Sequence, residues 1–262
     1  MDVFDLNCKR QAAIAAISTA LYALPRLKKL GHSMQVMNIK FAFLTFASII
    51  SCLVFSSCSS SITPQERYEK YDRPATHPIN RSKVKVKVSI NNQMAYVMEG
   101  SKALLIMPVT VGLSSKPTPR GNFRIFNKSH YHRANTHGFA ISPSGRIIPC
   151  YLRNKPAGWK FKGTPMPYWC EFKGAYGFHT GWMKPFPASH GCLRMHKNIS
   201  PKFFKLVSIG TPVNISYSQA EDATIGRNIP RPPDSTPFPS NPRAMMLTNK
   251  FFTMHKNPSY TK

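Results

Sequence analysis

The segment Lys83-Val-Lys-Val-Lys-Val-Ser-Ile90 alternates polar and apolar residues without a break. That period of two commits it to a strand with one buried face, and such a strand needs partners. Asn91-Asn92 supplies a turn signal, and Met94 to Met98 the partner strand. Glu99-Gly100 turns again, and Ala103 to Val111 reads as a third strand in which Pro108 marks an edge or a bulge. Gly112 to Pro119 reads as a loop, and Phe123 to Phe126 as a further strand. Within this region a helical period appears only at Ser200 to Val207, where Ser200 can cap and Pro201 takes the first helical position. Gly210 ends that helix, and Val213 to Tyr217 closes the sheet. The expectation is a mostly-β domain, sandwich or barrel-like, with one short helix near its C-terminal end.

Asn127 to Phe172 shows no such alternation and reads as an irregular, aromatic-rich insert. It carries His130, His132 and His137 among Tyr131, Tyr151, Trp159, Tyr168 and Trp169. Such a segment can line a cleft for glycan or peptide stems, or simply pack on its own aromatics.

Chemistry concentrates in Gly177 to Met195, where His179 and His190 flank Cys192, with Ser189, Gly191 and Arg194 close by. A cysteine beside histidines can be a nucleophile, because an imidazole can take the thiol's proton. Gly191 permits a sharp turn that would expose the thiol and bring backbone N–H groups toward it, as an oxyanion hole needs. Ser189 can hydrogen-bond either imidazole, and His190 can orient the turn. Arg194, two residues beyond Cys192 in an extended segment, can hold a carboxylate through two parallel hydrogen bonds. Two other readings stand beside this one. His179, His190, Cys192 and His196 can be taken as zinc ligands, although no Cys-x-x-Cys or His-x-x-x-His spacing supports them. The stretch can also be a structural turn around a buried cysteine.

Ser189-His-Gly-Cys-Leu-Arg-Met195, preceded by Tyr176-Gly-Phe-His-Thr180, resembles the active-site signature of the L,D-transpeptidase (YkuD-type) catalytic domain. Val88 to Val97 is similar to that family's opening strand pair, Lys116 to Ile125 to its proline-threonine-proline hairpin, and Gly210 to Ile215 to its closing strand. Pro167-Tyr-Trp169 resembles the segment before its active-site strand. The likeness spans Lys83 to Tyr217, although the loop between His179 and Ser189 is shorter than in many members. It implies acyl transfer on peptidoglycan stem peptides, with Cys192 as nucleophile and His179 as general base. Ser189, His190 and Gly191 would support them, and Arg194 and Thr180 would bind substrate. No cofactor or metal is implied, and carbapenem-type β-lactams are the implied inhibitors. The alternatives are a hydrolytic cysteine peptidase of the wall, which gives the same thioester to water, and a non-catalytic envelope-binding lipoprotein.

The rest of the chain reads as a means of delivery. Met37-Asn-Ile-Lys40 and the apolar run Phe41 to Phe55 suit a signal peptide and are short for a membrane span. Leu-Val-Phe-Ser-Ser-Cys58 resembles a lipobox, which implies a lipid anchor at Cys58 and a cell-envelope location on the periplasmic side. Residues 1–57 are thus expected to be leader, with 1–36 an over-extended start before Met37. Residues 58–82 are expected to be a flexible tether, 83–217 the catalytic domain, and 218–262 a disordered, proline-rich basic tail. With 36 Lys and Arg against 10 Asp and Glu, the formal charge is +26. The basic residues are spread along the chain with no nucleic-acid-binding motif, so an anionic envelope is the expected partner rather than nucleic acid. Cys150 and Cys170 remain as a pair that an oxidising compartment can join.

Overall fold

The computed structural model describes residues 62–234 and 242–253. The leader, the early start and acylation at Cys58 lie outside them. Among the described residues no helix is long and apolar enough to cross a membrane.

Ten strands make two five-stranded sheets. The first contains β1 (Val84–Ser89), β2 (Met94–Glu99), β3 (Lys102–Pro108), β4 (Gly121–Arg124) and β10 (Pro212–Ser216), in the order β3-β2-β1-β10-β4. The second contains β5 (Asn127–Ile141), β6 (Ile147–Tyr151), β7 (Lys160–Lys173), β8 (Tyr176–Thr180) and β9 (Leu193–Met195), in the order β6-β5-β7-β8-β9. The fold is mostly β, as the alternation at Lys83 to Ile90 requires. Val84, Val86 and Val88 are buried, whereas Lys85 and Lys87 point away from the core. These valines pack with Ala95, Val97, Leu105, Phe178 and Leu193 in the main core. Each side chain of that size removed from water stabilises the fold by about 1.5–3 kcal/mol.

Two pairings are parallel, β1 with β10 and β8 with β9. The connection from β9 to β10 runs through the helix α2 (Ser200–Leu206), whose Phe203 and Leu206 enter the core. Pro201 lies in the first turn as expected, but Ser200 is not the cap. Ile199 occupies that position without a side-chain bond, and the Ser200 hydroxyl instead meets Lys197 O and Thr180 Oγ1.

The supposed insert is a regular sheet. β5 and β7, of 15 and 14 residues, pair along most of their length, and β6 turns back on β5. Alternation is missing because much of β5 is solvent-exposed on both faces. Pro165 and Pro167 are tolerated because β8 pairs only from Cys170 onward, so β7 has a free edge beside the prolines.

Where they are described, both flanking segments pack against the domain. Thr63 and Glu66 form a reciprocal capping box that starts the helix α1 (Pro64–Lys70), a local signal hidden in a polar stretch. Tyr68 is 2% exposed, its ring against His196 and its carbonyl accepting from His196 Nε2 at 2.8 Å. Asn198 Nδ2 donates to the carbonyls of Glu69 and Tyr71, Lys202 pairs with Asp72, and Ala75 bridges to Leu105. The described part of the tether is therefore a packed arm. The tail behaves alike. Asp222 accepts from Ser89 and Tyr96 at 2.8 and 2.6 Å, and Ile229 covers the outer face of β2 beside Met94 and Met98. A further helix, α3 (Pro242–Met246), leads to a 3-10 turn at Asn249–Thr253 with Phe251 and Phe252 buried. Prolines hid this order, since the contacts are long-range and often to backbone carbonyls.

Cys150 and Cys170 are free thiols. Cys150 lies opposite Gly138 and Cys170 opposite Lys128, ten positions apart along β5. At the rise of a strand that is roughly 30 Å, far beyond a disulfide's reach.

One contact ties the sheets together. The chain after β3 crosses to β9, and Thr110 and Arg194 exchange two backbone hydrogen bonds of 3.0 Å. Gly112 then lies against Gly191, and its N–H donates to Thr118 Oγ1 at 2.9 Å. A Cβ on Gly112 would sit 2.3 Å from Lys116 O and 2.8 Å from Gly191 Cα, backbone atoms that cannot swing aside. Gly174, by contrast, has open space around it. Gly112→Ala is expected to destabilise by about 1–3 kcal/mol and Gly174→Ala by much less, as thermal denaturation will report. Equal melting temperatures for the two variants would contradict the backbone contact.

Candidate active site

The turn that carries Cys192 is held by a serine. Ser189 is almost wholly buried, its hydroxyl donating to Cys192 O at 2.6 Å and accepting from Gly191 N–H at 3.0 Å. It touches neither imidazole. Gly191 has φ +106, which favours glycine, and a Cβ there would lie 2.5 Å from the Tyr176 ring. Its N–H is spent on Ser189 and is not an oxyanion donor. His190 is exposed at the cavity mouth, edge-on to His137 at 5.9 Å, and does not hold the turn.

The parallel pairing of β8 with β9 places His179 opposite Arg194, two residues beyond Cys192. His179 Nδ1 lies 2.8 Å from Thr180 O. Since a carbonyl can only accept, Nδ1 carries the proton and Nε2 is left with its lone pair. The Thr180 hydroxyl meets Ser200 Oγ at 2.5 Å, so the carbonyl of Thr180, rather than its side chain, serves the histidine. Trp169 lies beneath, buried, stacked on His132 at 4.3 Å and tilted toward His179 at 6.1 Å.

Cys192, His179 and Arg194 line one cavity of about 400 Å³, together with His137, Met166 and Trp182. Among the described residues no acidic side chain lines it. Arg194 lays its stem against Gly181, and its guanidinium has no ion pair or hydrogen bond among the described residues. The two acids of residues 83–217 are engaged elsewhere: Glu171 by Asn127, Trp169 and the Ala175 N–H, and Glu99 by the N–H groups of Ile79 and Asn80.

Of the aromatic-rich segment, His137 reaches the cavity, while His130 packs on Phe204 at 4.3 Å in a different hollow. The four residues read as zinc ligands do not assemble, because both ring nitrogens of His196 are taken by Tyr68 O and the Asn198 N–H. Among the described residues no three metal-binding side chains come together. Sequence reasoning missed Arg243, Met246 and Phe251, which also line the cavity. No local pattern marks them.

A family model of the L,D-transpeptidase catalytic domain (YkuD) matches residues 83–215. The chain belongs to that family. Solved structures similar to it include an L,D-transpeptidase from Stackebrandtia nassauensis, at 20% identity and a TM-score of 0.39, over 59% of this chain and 65% of that one. Another is an LD transpeptidase in complex with imipenem, at 18% and 0.39, over 51% and 59%. A third is the catalytic domain of the E. faecium L,D-transpeptidase, at 22% and 0.37, over 51% and 96%. The chain thus spans less than two thirds of the first two. Curated protein sequences give no match.

In this L,D-transpeptidase domain Cys192 and His179 are both held neutral. Burial pushes the Cys192 thiol up, against the opposing pull of the Gly177 N–H and the Arg194 guanidinium. Burial pulls His179 down to about 3, aided by Arg194 and His137 and opposed by the Thr180 hydrogen bond. Burial also lowers His130, His132 and His137. Between about 3 and the ordinary 6.5, the unfolded chain binds a proton that folded His179 excludes. Stability from this group is therefore complete above pH 6.5 and declines toward pH 3, at up to about 1.4 kcal/mol per pH unit. Denaturant midpoints are expected to fall from pH 7 to pH 4.5, with a shallower fall in His179→Gln. An unchanged slope in that variant would place the acid sensitivity elsewhere.

Proposed function

We propose that this domain is an L,D-transpeptidase acting on peptidoglycan stem peptides through a thioester on Cys192. The observation that carries the reading is one cavity holding a half-buried thiol, a neutral histidine with Nδ1 fixed on a carbonyl, and an arginine guanidinium with no ion pair or hydrogen bond among the described residues. Cys192 Sγ attacks the carbonyl preceding a terminal D-residue while His179 Nε2 takes the thiol proton. The tetrahedral intermediate collapses, the C–N bond breaks, and the imidazolium returns the proton to the departing amine. A second amine, typically from a neighbouring stem, then attacks the thioester and loses its proton to His179. The thiolate leaves, takes that proton back, and a new amide remains. A thioester suits this route because it reacts readily with amines. Arg194 holds a stem carboxylate through its planar fork. The complex of one similar L,D-transpeptidase with imipenem supports a carbapenem as a probe of this thiol.

Purified wild-type protein is expected to exchange or cross-link stem peptides and to gain one carbapenem mass on Cys192. Cys192→Ala should lose both, and His179→Ala should be slower by about 10²–10⁴. Turnover by Cys192→Ala at the wild-type rate would sink the reading, and release of the hydrolysed stem alone would make the enzyme a peptidase. We also propose export and lipid anchoring at Cys58, for which intact-mass spectra of membrane-extracted protein should carry the lipid on the mature N-terminus.

Arg194→Lys keeps the charge but loses the fork, so KM is expected to rise about tenfold with a smaller change in kcat. An unchanged KM with a lowered melting temperature would make Arg194 structural.

A further inference from the structure

The family's match ends at residue 215, yet the reactive cavity does not. Arg243, Met246 and Phe251 form part of its wall from a segment nearly thirty residues beyond that boundary. The segment is held firmly. Arg133, on β5, donates to Met246 O at 2.9 Å, Thr248 O at 3.2 Å and Gly163 O at 3.0 Å. Three carbonyls on one guanidinium thus tie the end of α3 to β7. The same guanidinium lies 4.9 Å from the ring centre of Phe252, which also meets Tyr131. Met246 and Phe251 are buried with Phe139, and Trp182 and Ile147 pack against them.

On this wall Arg243 is the single charged group. Its guanidinium is exposed and has no ion pair or hydrogen bond among the described residues. With Arg194 it puts two guanidinium groups without an ion pair on a cavity that no acid lines among the described residues. One carboxylate satisfies one planar fork, and the second is left for another anionic group on the same ligand.

We propose that the segment Pro242 to Thr253 is a specificity element of the active site, in which Arg243 binds a side-chain carboxylate of the donor peptide, distinct from the carboxylate at Arg194. Met246 and Phe251 supply the apolar surface along which that side chain's carbon stem lies. The proposal rests on the transpeptidase reading above. It adds that donor choice is made outside the family's own domain.

The test uses the full chain and two donor peptides that differ only in whether a side-chain carboxylate next to the scissile bond is free or amidated. Arg243→Gln is expected to raise KM about tenfold for the free acid, the worth of a charge-assisted pair. It should leave the amidated donor unchanged, and amidation should cost the wild type the same factor. Because Arg243 is exposed, the melting temperature should not move. A KM unaltered for the acid donor, or raised equally for both donors, would overturn the proposal. Carbapenem acylation of Cys192 in the wild type keeps the two readings separate. Its absence defeats the transpeptidase reading, whereas acylation with an unaltered KM defeats only this one.

Discussion

Everything at the site hangs on the backbone crossing between the chain after β3 and β9. Two hydrogen bonds between Thr110 and Arg194 join one sheet to the other, and Leu113 and Ala188 extend the contact through Ser189 O and Val111 O. Backbone bonds are short and inflexible, so the turn bearing Cys192 is fixed to the whole core rather than to one strand. The close approach of Gly112 to Gly191 follows from this, since neither position has room for a side chain. Thr118, from the proline-flanked hairpin, is buried because its hydroxyl completes the same junction. A motif over seventy residues upstream of Cys192 is thus part of the support of its turn.

The charge of the chain gains a local meaning in this frame. The acids present are largely consumed in holding the fold: Asp222 under β2, Glu171 beside Trp169, Asp72 on Lys202. What reaches the cavity is cationic or neutral, and cations with no internal partner favour anionic ligands. The net excess of base is a bulk property. In the proposed function it is the lack of acid along this one wall, among the described residues, that bears on substrate choice.

How much of this was legible depended on how local each signal is. The β1–β2 hairpin and the α2 segment were readable because alternation and helical period act over a few residues. The Ser189 to Met195 motif was readable as chemistry, yet the role of Ser189 was not, because its partners are backbone atoms of its own turn. β5 escaped because much of it is exposed on both faces, and β7 because much of it is buried on both, and neither pattern alternates. The arm and the tail escaped for a different reason. Tyr71 Oη reaches Pro230 O, and Arg231 reaches the carbonyls of Asn92 and Gln93. Contacts of that separation leave no trace in a local window, and polar, proline-rich composition points the wrong way.

The electrostatics finally bear on how the proposed reaction begins. A thiolate–imidazolium pair would put a cation on His179, where burial, Arg194 and His137 all oppose it. The resting pair is therefore thiol and imidazole, and proton transfer has to accompany attack. Arg194 acts on both partners with opposite consequences: it eases ionisation of Cys192 and weakens His179 as a base. A substrate carboxylate seated on Arg194 would offset that one contribution, while the burial that chiefly depresses His179 stays in place. By linkage, the same carboxylate binds more weakly to a site whose thiol has already ionised. In the proposed reaction the arginine that holds the donor thus opposes protonation of His179 only as a secondary influence, behind burial.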